Sequence, residues 1–276
     1  MQELIQGTFH LHSTYSHDGR NTLREVAHAL RERGFSFCVM TEHFEDFDEA
    51  KFDRYIAELE SVTESTGFIF VPGTEVDLEG LHTIVFPVRE YTEVVRFASR
   101  QEIARPLFKV LAHPSKYPFE RVKTHLERYG IDAVELWNQQ ADGSYIPPID
   151  FLRSLQSIPL RANYRYFFGC DLHSINLTVG NVLCLRTPGI LTADEIASVL
   201  ITGDFVARNL ATGIEYRNGL DRTEFDGWLN ALSERSYYRG RLLRGVRYSL
   251  KSVYKMLPKD LRRSLNDVKN YVRNKV

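Results

Sequence analysis

The chain has 276 residues, 43% of them hydrophobic and 26% charged, with a net charge of −1, which is ordinary for a soluble globular enzyme. No apolar run approaches the roughly 20 residues needed to cross a bilayer. The opening MQELIQGTFHLHS has no basic flank followed by an apolar stretch, as a secretory leader would,. Three scattered cysteines (Cys38, Cys170, Cys184) make no disulfide framework, so a cytoplasmic location is expected,.

In chain order, short apolar runs alternate with amphipathic ones. Strands are expected at Gly7–His12, Phe35–Thr41, Phe68–Thr74, His82–Pro87, Lys109–Ala112, Ala133–Trp137, Tyr166–Cys170 and Val182–Leu185. Helical patterns lie between several of them, at Thr22–Arg33, Ala50–Ser65, Glu120–Tyr129 and Ala193–Leu200. This βα rhythm argues for a mostly parallel sheet with helices outside it. A barrel fits better than an open doubly wound sheet. Polar residues gather where separate strands end, and HLHSTYSHDG after the first strand is no glycine-rich phosphate loop.

The strand ends carry the chemistry. His10 and His12 sit at i and i+2 of a strand and face the same way. Asp18 follows in Ser16-His17-Asp18-Gly19. Thr41-Glu42-His43, Gly73-Thr74-Glu75, His82 opening LHTIVF, Ala112-His113-Pro114 and Asp171-Leu172-His173 come next. Each alone is weak, since a histidine at a strand end is more often a hydrogen-bonded surface or core residue. Together they hold seven of the nine histidines. His28 and His125 fall inside helical patterns and read as ordinary helix-surface residues.

The series HLHSTYSHDG, TEH, GTE, LHTIVF, AHP and GCDLH resembles the polymerase-and-histidinol-phosphatase (PHP) superfamily of metal-dependent phosphoesterases. By motif the resemblance covers about residues 8–175. It implies an α/β fold, a distorted TIM-like (β/α)7 barrel over residues 1–220, with two or three divalent metal ions at the C-terminal ends of the strands. His10, His12, Glu75 and Asp171 would hold the first ion. Glu75 would bridge to a second, bound also by His82 and His113. Asp18, standing where some members have His, would hold a third with His43 and His173. The implied reaction is hydrolysis of a phosphate ester by a metal-bridging hydroxide, with Glu75 and Asp171 central to catalysis.

The chemistry independently asks for such a set, because phosphoryl hydrolysis needs a nucleophile available at neutral pH and positive charge on the non-bridging oxygens. Mixed His and carboxylate ligands suit Zn, Mn or Fe. Glu42, Glu135 and Asn138 are candidates to orient ligating imidazoles. For both carboxylates a helix cap or salt bridge is an equal alternative. His17 is a candidate acid for the leaving alkoxide, and Arg161, Arg165 and Arg208 are candidate phosphate contacts. A phosphorylated small molecule is the favoured substrate. A nucleotide or oligonucleotide diester is the alternative, and a non-catalytic metal-binding interaction module is the rival class.

After about residue 220 the rhythm stops. From Arg235 onward thirteen basic residues face two acids, a net of +11 that leaves −12 on the rest of the chain. Leu243, Val246, Leu250, Val253 and Leu257, then Leu261, Leu265, Val268 and Val272, form an apolar stripe interrupted at Pro258. The expectation for 221–276 is a pair of basic amphipathic helices. These would pack on the barrel, self-associate, or attach to an anionic membrane surface or nucleic acid.

Overall fold

The computed structural model describes residues 3–101, 107–158, 164–187, 189 and 191–234. The expected C-terminal helices lie outside the described residues. In the first half, β1 (Glu3–Leu11), β2 (Phe37–Met40), β3 (Glu42–His43), β4 (Ile69–Val71), β5 (Thr74–Leu78) and β6 (Leu81–Phe86) alternate with α1 (Leu23–Glu32) and α2 (Glu49–Thr66). Then come α3 (Tyr91–Ala98), β7 (Phe108–Leu111), α4 (Phe119–Tyr129), β8 (Ala133–Asn138), α5 (Gln139–Asp142), α6 (Ile149–Leu155) and β9 (Arg165–Gly169). The series closes with β10 (Asn181–Thr187), α7 (Ala193–Thr202), β11 (Phe205–Asn209) and β12 (Ile214–Arg217).

The strands form two six-stranded sheets, β12-β11-β10-β1-β2-β4 and β3-β5-β6-β7-β8-β9. Only Thr41 separates β2 from β3, and only Pro72-Gly73 separates β4 from β5. Two long strands therefore cross from one sheet into the other. On the far side, Cys170 N–H donates to Phe9 O (2.9 Å), Leu172 N–H to His10 O (3.1 Å) and His12 N–H to Leu172 O (2.9 Å). Seven strands thus run round a distorted, incompletely laddered barrel, the α/β class that the sequence pattern and the family resemblance imply.

The sheets are less parallel than the rhythm predicts. β5, β6 and β7 pair antiparallel, as do β1, β10, β11 and β12. One cause is local: Glu79 (φ 59°) and Gly80 (φ 79°) form a two-residue turn between β5 and β6, the backbone that right-twisted hairpins prefer.

Phe9, Phe86, Phe108, Phe167 and Phe205 fill the barrel interior, with Phe9 and Phe167 stacked at 4.7 Å and Phe205 tilted against Phe167 at 4.9 Å. Outside, α1 buries Leu23, Val26, Ala27 and Leu30, and α2 buries Phe52, Tyr55, Leu59 and Val62. Thr22 and Glu25 start α1 with a reciprocal capping box, and left-handed Gly67 ends α2,. Cys38, Cys170 and Cys184 are free and buried, and burial pushes the Cys170 thiol up to about 11,.

The chain divides into two compact units, Met1–Asp226 and Gly227–Val276. The first takes in Phe225, stacked on Tyr166 at 5.9 Å, just past the boundary expected at 220. In the second, residues 227–234 are helical. Among the described residues, no helix is long and apolar enough to cross a membrane.

Candidate metal centre

His10 and His12 reach the centre through an irregularity, not through simple alternation. The register of β1 against β2 shifts between Phe9 and Leu11, and His10 takes φ 70°. The bulge re-aims the strand end so that the two imidazole rings lie 5.3 Å apart,. His113 (φ 31°) and Asp171 (φ 55°) are also left-handed. Three of the five non-glycine residues with positive φ among the described residues therefore belong to one cluster. Such strain persists only where the surroundings over-determine it.

Glu75, on β5, is the hub. Its carboxylate lies 3.5 Å from His10 Nε2, 3.6 Å from His12 Nε2, 3.2 Å from His43 Nδ1, 2.9 Å from His82 Nδ1 and 3.1 Å from His113 Nε2. Asp171 Oδ1 is 3.5 Å from His10 Nε2 and 3.6 Å from His12 Nε2. Asp18 approaches His43 Nε2 at 3.5 Å and His173 Nε2 at 3.0 Å.

The nine residues fall into four overlapping groups whose ligand atoms lie within 4.8 Å of one another. These are His12-Asp18-His43-His173, His10-Glu75-His113, His10-His12-Asp171 and His43-Glu75-His82. The partition differs in detail from the implied one: His12 also joins the outer group, and His43 also joins Glu75 and His82. Burial separates a floor from a rim. His10, His12, Glu75, His113 and Asp171 are at most 4% exposed, whereas the side chains of His82 and Asp18 are 30% and 40% exposed.

The donor set fits metal ions on its own terms. His10 Nε2, His12 Nε2, His43 Nδ1 and His82 Nδ1 are buried, face carboxylates and have no hydrogen-bond partner. Buried polar atoms are rarely left so. Burial would raise the Glu75 pKa, but His10, His113 and His43 hold it well below the usual carboxylate range. Asp171 is likewise kept low, by His10 and His12 against its own burial. Both stay anionic, as ligation requires. Burial pulls the His12 pKa down to about 4, so its imidazole is neutral at pH 7.

Supporting residues fix which nitrogen faces inward. Glu135 Oε1 accepts from His10 Nδ1–H (2.9 Å), while Oε2 accepts from His113 N–H (2.6 Å) and Asn138 Nδ2–H (2.9 Å). Gly169 makes this possible, because a Cβ there would collide with the Glu135 carboxylate. Glu42 accepts from Ser13 N–H and from the hydroxyls of Ser13 and Ser16, both at 2.6 Å. Ser16 Oγ, having donated to Glu42, accepts from His43 N–H (2.9 Å) and lies 3.3 Å from His12 Nδ1. Nδ1 of both His10 and His12 is thus engaged from outside, which leaves Nε2 of each facing the centre,. Ser13 and Ser16 escaped the sequence reading. Their signal was the serines interleaved in HSTYSHD.

Other expected site residues stand elsewhere. His17 is at the rim with its side chain 65% exposed and Nδ1 2.9 Å from Asp46, whose hydrogen bond raises its pKa. Arg165 begins β9, at the end of the strand opposite Asp171, and its Nε donates to Ile201 O. Arg208 points away from the inward Ala207 and Asn209 and pairs with Glu215 at 2.5 Å. Neither joins the cluster. Arg161 lies outside the described residues. His28 is exposed as expected, but His125 is buried, with Nε2 2.9 Å from the Thr83 hydroxyl. α4 turns that face onto β6, so His125 belongs to the core.

The family model for the PHP domain matches residues 8–145. No curated protein matches by sequence. Among solved structures, the chain is similar to PsfC from Pseudomonas syringae PB-5123, with 16% identity, TM-score 0.49, and 71% of this chain and 88% of that one covered. A protein from Bifidobacterium adolescentis titled as a candidate metal-dependent phosphoesterase has 16% identity and TM-score 0.44, with 71% and 96% covered. Endonuclease Q in complex with a duplex substrate carrying an abasic lesion has 17% identity and TM-score 0.46, with 72% and 56% covered. The family model spans half of the sequence, and its histidine and carboxylate motifs converge round Glu75; the chain belongs to the PHP domain family of metal-dependent phosphoesterases.

Proposed function

We propose that the chain is a phosphatase of small-molecule phosphomonoesters, with two or three divalent transition-metal ions held by His10, His12, Asp18, His43, Glu75, His82, His113, Asp171 and His173. The observation that carries this reading is one ionised carboxylate ringed by five imidazoles within 3.6 Å. When bound, the ions supply Lewis acidity to the phosphoryl oxygens and activate water near neutral pH. Glu75 and Asp171 contribute the negative charge that keeps those ions together in a dry floor. Glu135 and the Glu42–Ser16 pair hold His10 and His12 in register. His17, oriented by Asp46 at the solvent edge, is placed to hand a proton to a departing alkoxide.

Charge favours a small substrate over a polyanion. Residues before Arg235 carry a net −12, a body that repels a long nucleic-acid backbone. The +11 tail favours the second reading, an oligonucleotide diesterase in which the tail holds the strand. Full-length protein loaded with Mn, Zn or Fe and assayed by elemental analysis should contain two or three ions per chain. It should hydrolyse 4-nitrophenyl phosphate with a kcat/KM at least about tenfold above that for bis(4-nitrophenyl) phosphate. A reversed preference would transfer the assignment to diesters, and trace metal after reconstitution would remove the centre itself.

A further inference from the structure

A cavity of about 530 Å³ opens beside the metal centre, above the ends of β7 and β8. Lys116 belongs to both places: it lines the cavity, and its Nζ lies 3.5 Å from Asp171 Oδ2. The backbone puts it there. His113 turns left-handed, Pro114 follows, and a short 3₁₀ turn through Lys116 carries the chain over the cluster. Ser115 donates its hydroxyl to Asp142, and Asp142 accepts from Asn138 N–H (2.8 Å), which ties this side of the cavity to the end of β8. The opposite wall is mixed: Pro147 and Pro148 lead into α6, Ile149 and Phe151 supply apolar surface with the exposed Asp150 between them, and the Phe151 ring meets Phe119 edge-on at 6.3 Å.

We propose that this cavity is the subsite for the alcohol portion of the substrate, and that it selects phosphomonoesters whose alcohol carries a ring or comparable apolar body. This rests on the phosphatase reading above. Lys116 Nζ stands 3.5 Å from Asp171, so a phosphoryl group bound beside that carboxylate would meet its ammonium as a charge-assisted donor. The organic remainder then extends past Lys116 onto the proline and phenylalanine wall. Small-molecule sites commonly enclose about 300–1,000 Å³ with mostly apolar linings and a few placed polar groups. A glycerol-sized alcohol would leave most of this volume to water, whereas a ring on the wall displaces it.

The test is calorimetric binding of two non-hydrolysable probes, phenylphosphonate and methylphosphonate, to the full-length Mn-loaded protein. Phenylphosphonate should bind at least about tenfold more tightly. Phe151→Ala removes part of the wall. Pro148→Asp adds a carboxylate at a helix N-cap position that accepts Asp readily,. Both should shrink that margin to about threefold or less. Lys116→Met should weaken both probes by about tenfold or more and Lys116→Arg should recover most of the loss. Equal affinities in the wild type, or a margin untouched by both wall variants, would overturn the subsite. Turnover of phenyl phosphate separates this from the underlying reading. A chain that prefers phenylphosphonate but hydrolyses no monoester keeps the subsite and loses the phosphatase assignment. A chain that hydrolyses phenyl phosphate without that preference does the reverse.

Discussion

The floor and the rim of the metal centre draw on the same two chemical classes, imidazole and carboxylate, and the fold handles them differently. At the floor, His10, His12, Glu75, His113 and Asp171 are sealed from solvent, and three of them hold left-handed backbone. His10 and His12 have their outer nitrogens engaged by Glu135 and Ser16. At the rim, Asp18 hangs from a loop, His82 opens a hairpin strand, and both are partly in water. A rigid, dry floor binds ions tightly and in fixed places. A wet rim binds weakly and lets a ligand be exchanged or shared. The difference teaches that nine donors in one centre need not be worth nine equal contributions.

The largest expected effect is at the hub. Glu75→Gln removes the charge that five imidazoles share, and activity should fall by about 10³-fold or more with reduced metal content. Near-normal turnover in the metal-replete variant would falsify the hub role. Glu135→Gln acts one layer out and should cost about 10–100-fold in metal affinity, read by competition with a chelator of known strength. At the rim, Asp18→Asn should cost about tenfold or less in activity and lose about one ion, leaving the rest in place. If it strips every ion, floor and rim are a single cooperative unit and the contrast between them disappears.

His125 is a control, a buried imidazole that belongs to none of the ligand groups. Burial holds its pKa down to about 4, whereas in the unfolded chain it lies near 6.5. Its contribution is therefore fully present above pH 6.5 and is lost as pH falls toward 4,. Denaturant titrations should show His125→Gln with a shallower loss of stability across that window than wild type; parallel curves would reject the assignment. The smallest effect expected is from removing residues 235–276, which hold no histidine and no glutamate. Cutting after Glu234 keeps Phe225 on Tyr166, and kcat/KM for an aryl phosphate should stay within about twofold. A larger loss would give the tail a part in the centre.

How much of this was legible in the sequence depended on range. Strands β1, β2, β6, β7, β8 and β9 show as apolar runs because their neighbours are fixed by local pattern, and eight of the nine clustered donors sit in or just beyond strand ends where motifs mark them, Asp18 lying in the loop after β1. Three kinds of feature left no such trace. The hairpin of β5 and β6 turns on Glu79-Gly80, a dipeptide too common to flag by itself. β11 and β12 are short, and Arg208 on the outer face of β11 breaks the apolar run that would have announced it. Arg165 shows the limit of strand-end reasoning: nearness to an end of β9 did not distinguish its N-terminal end from the C-terminal end that carries Asp171 into the cluster. Lys116 and Ser16 are single polar residues whose roles follow from the bulge and turns beside them, which periodicity does not encode.

The three cysteines give the molecule a clock for its own opening. None contacts solvent, burial raises each thiol's pKa, and Cys170 hydrogen-bonds Asn181 O at 3.2 Å, one residue from Asp171. An alkylating reagent can reach them only when the barrel breathes. Labelling rates of the unmodified chain, with and without added metal, would thus report how often the strands around the centre come apart.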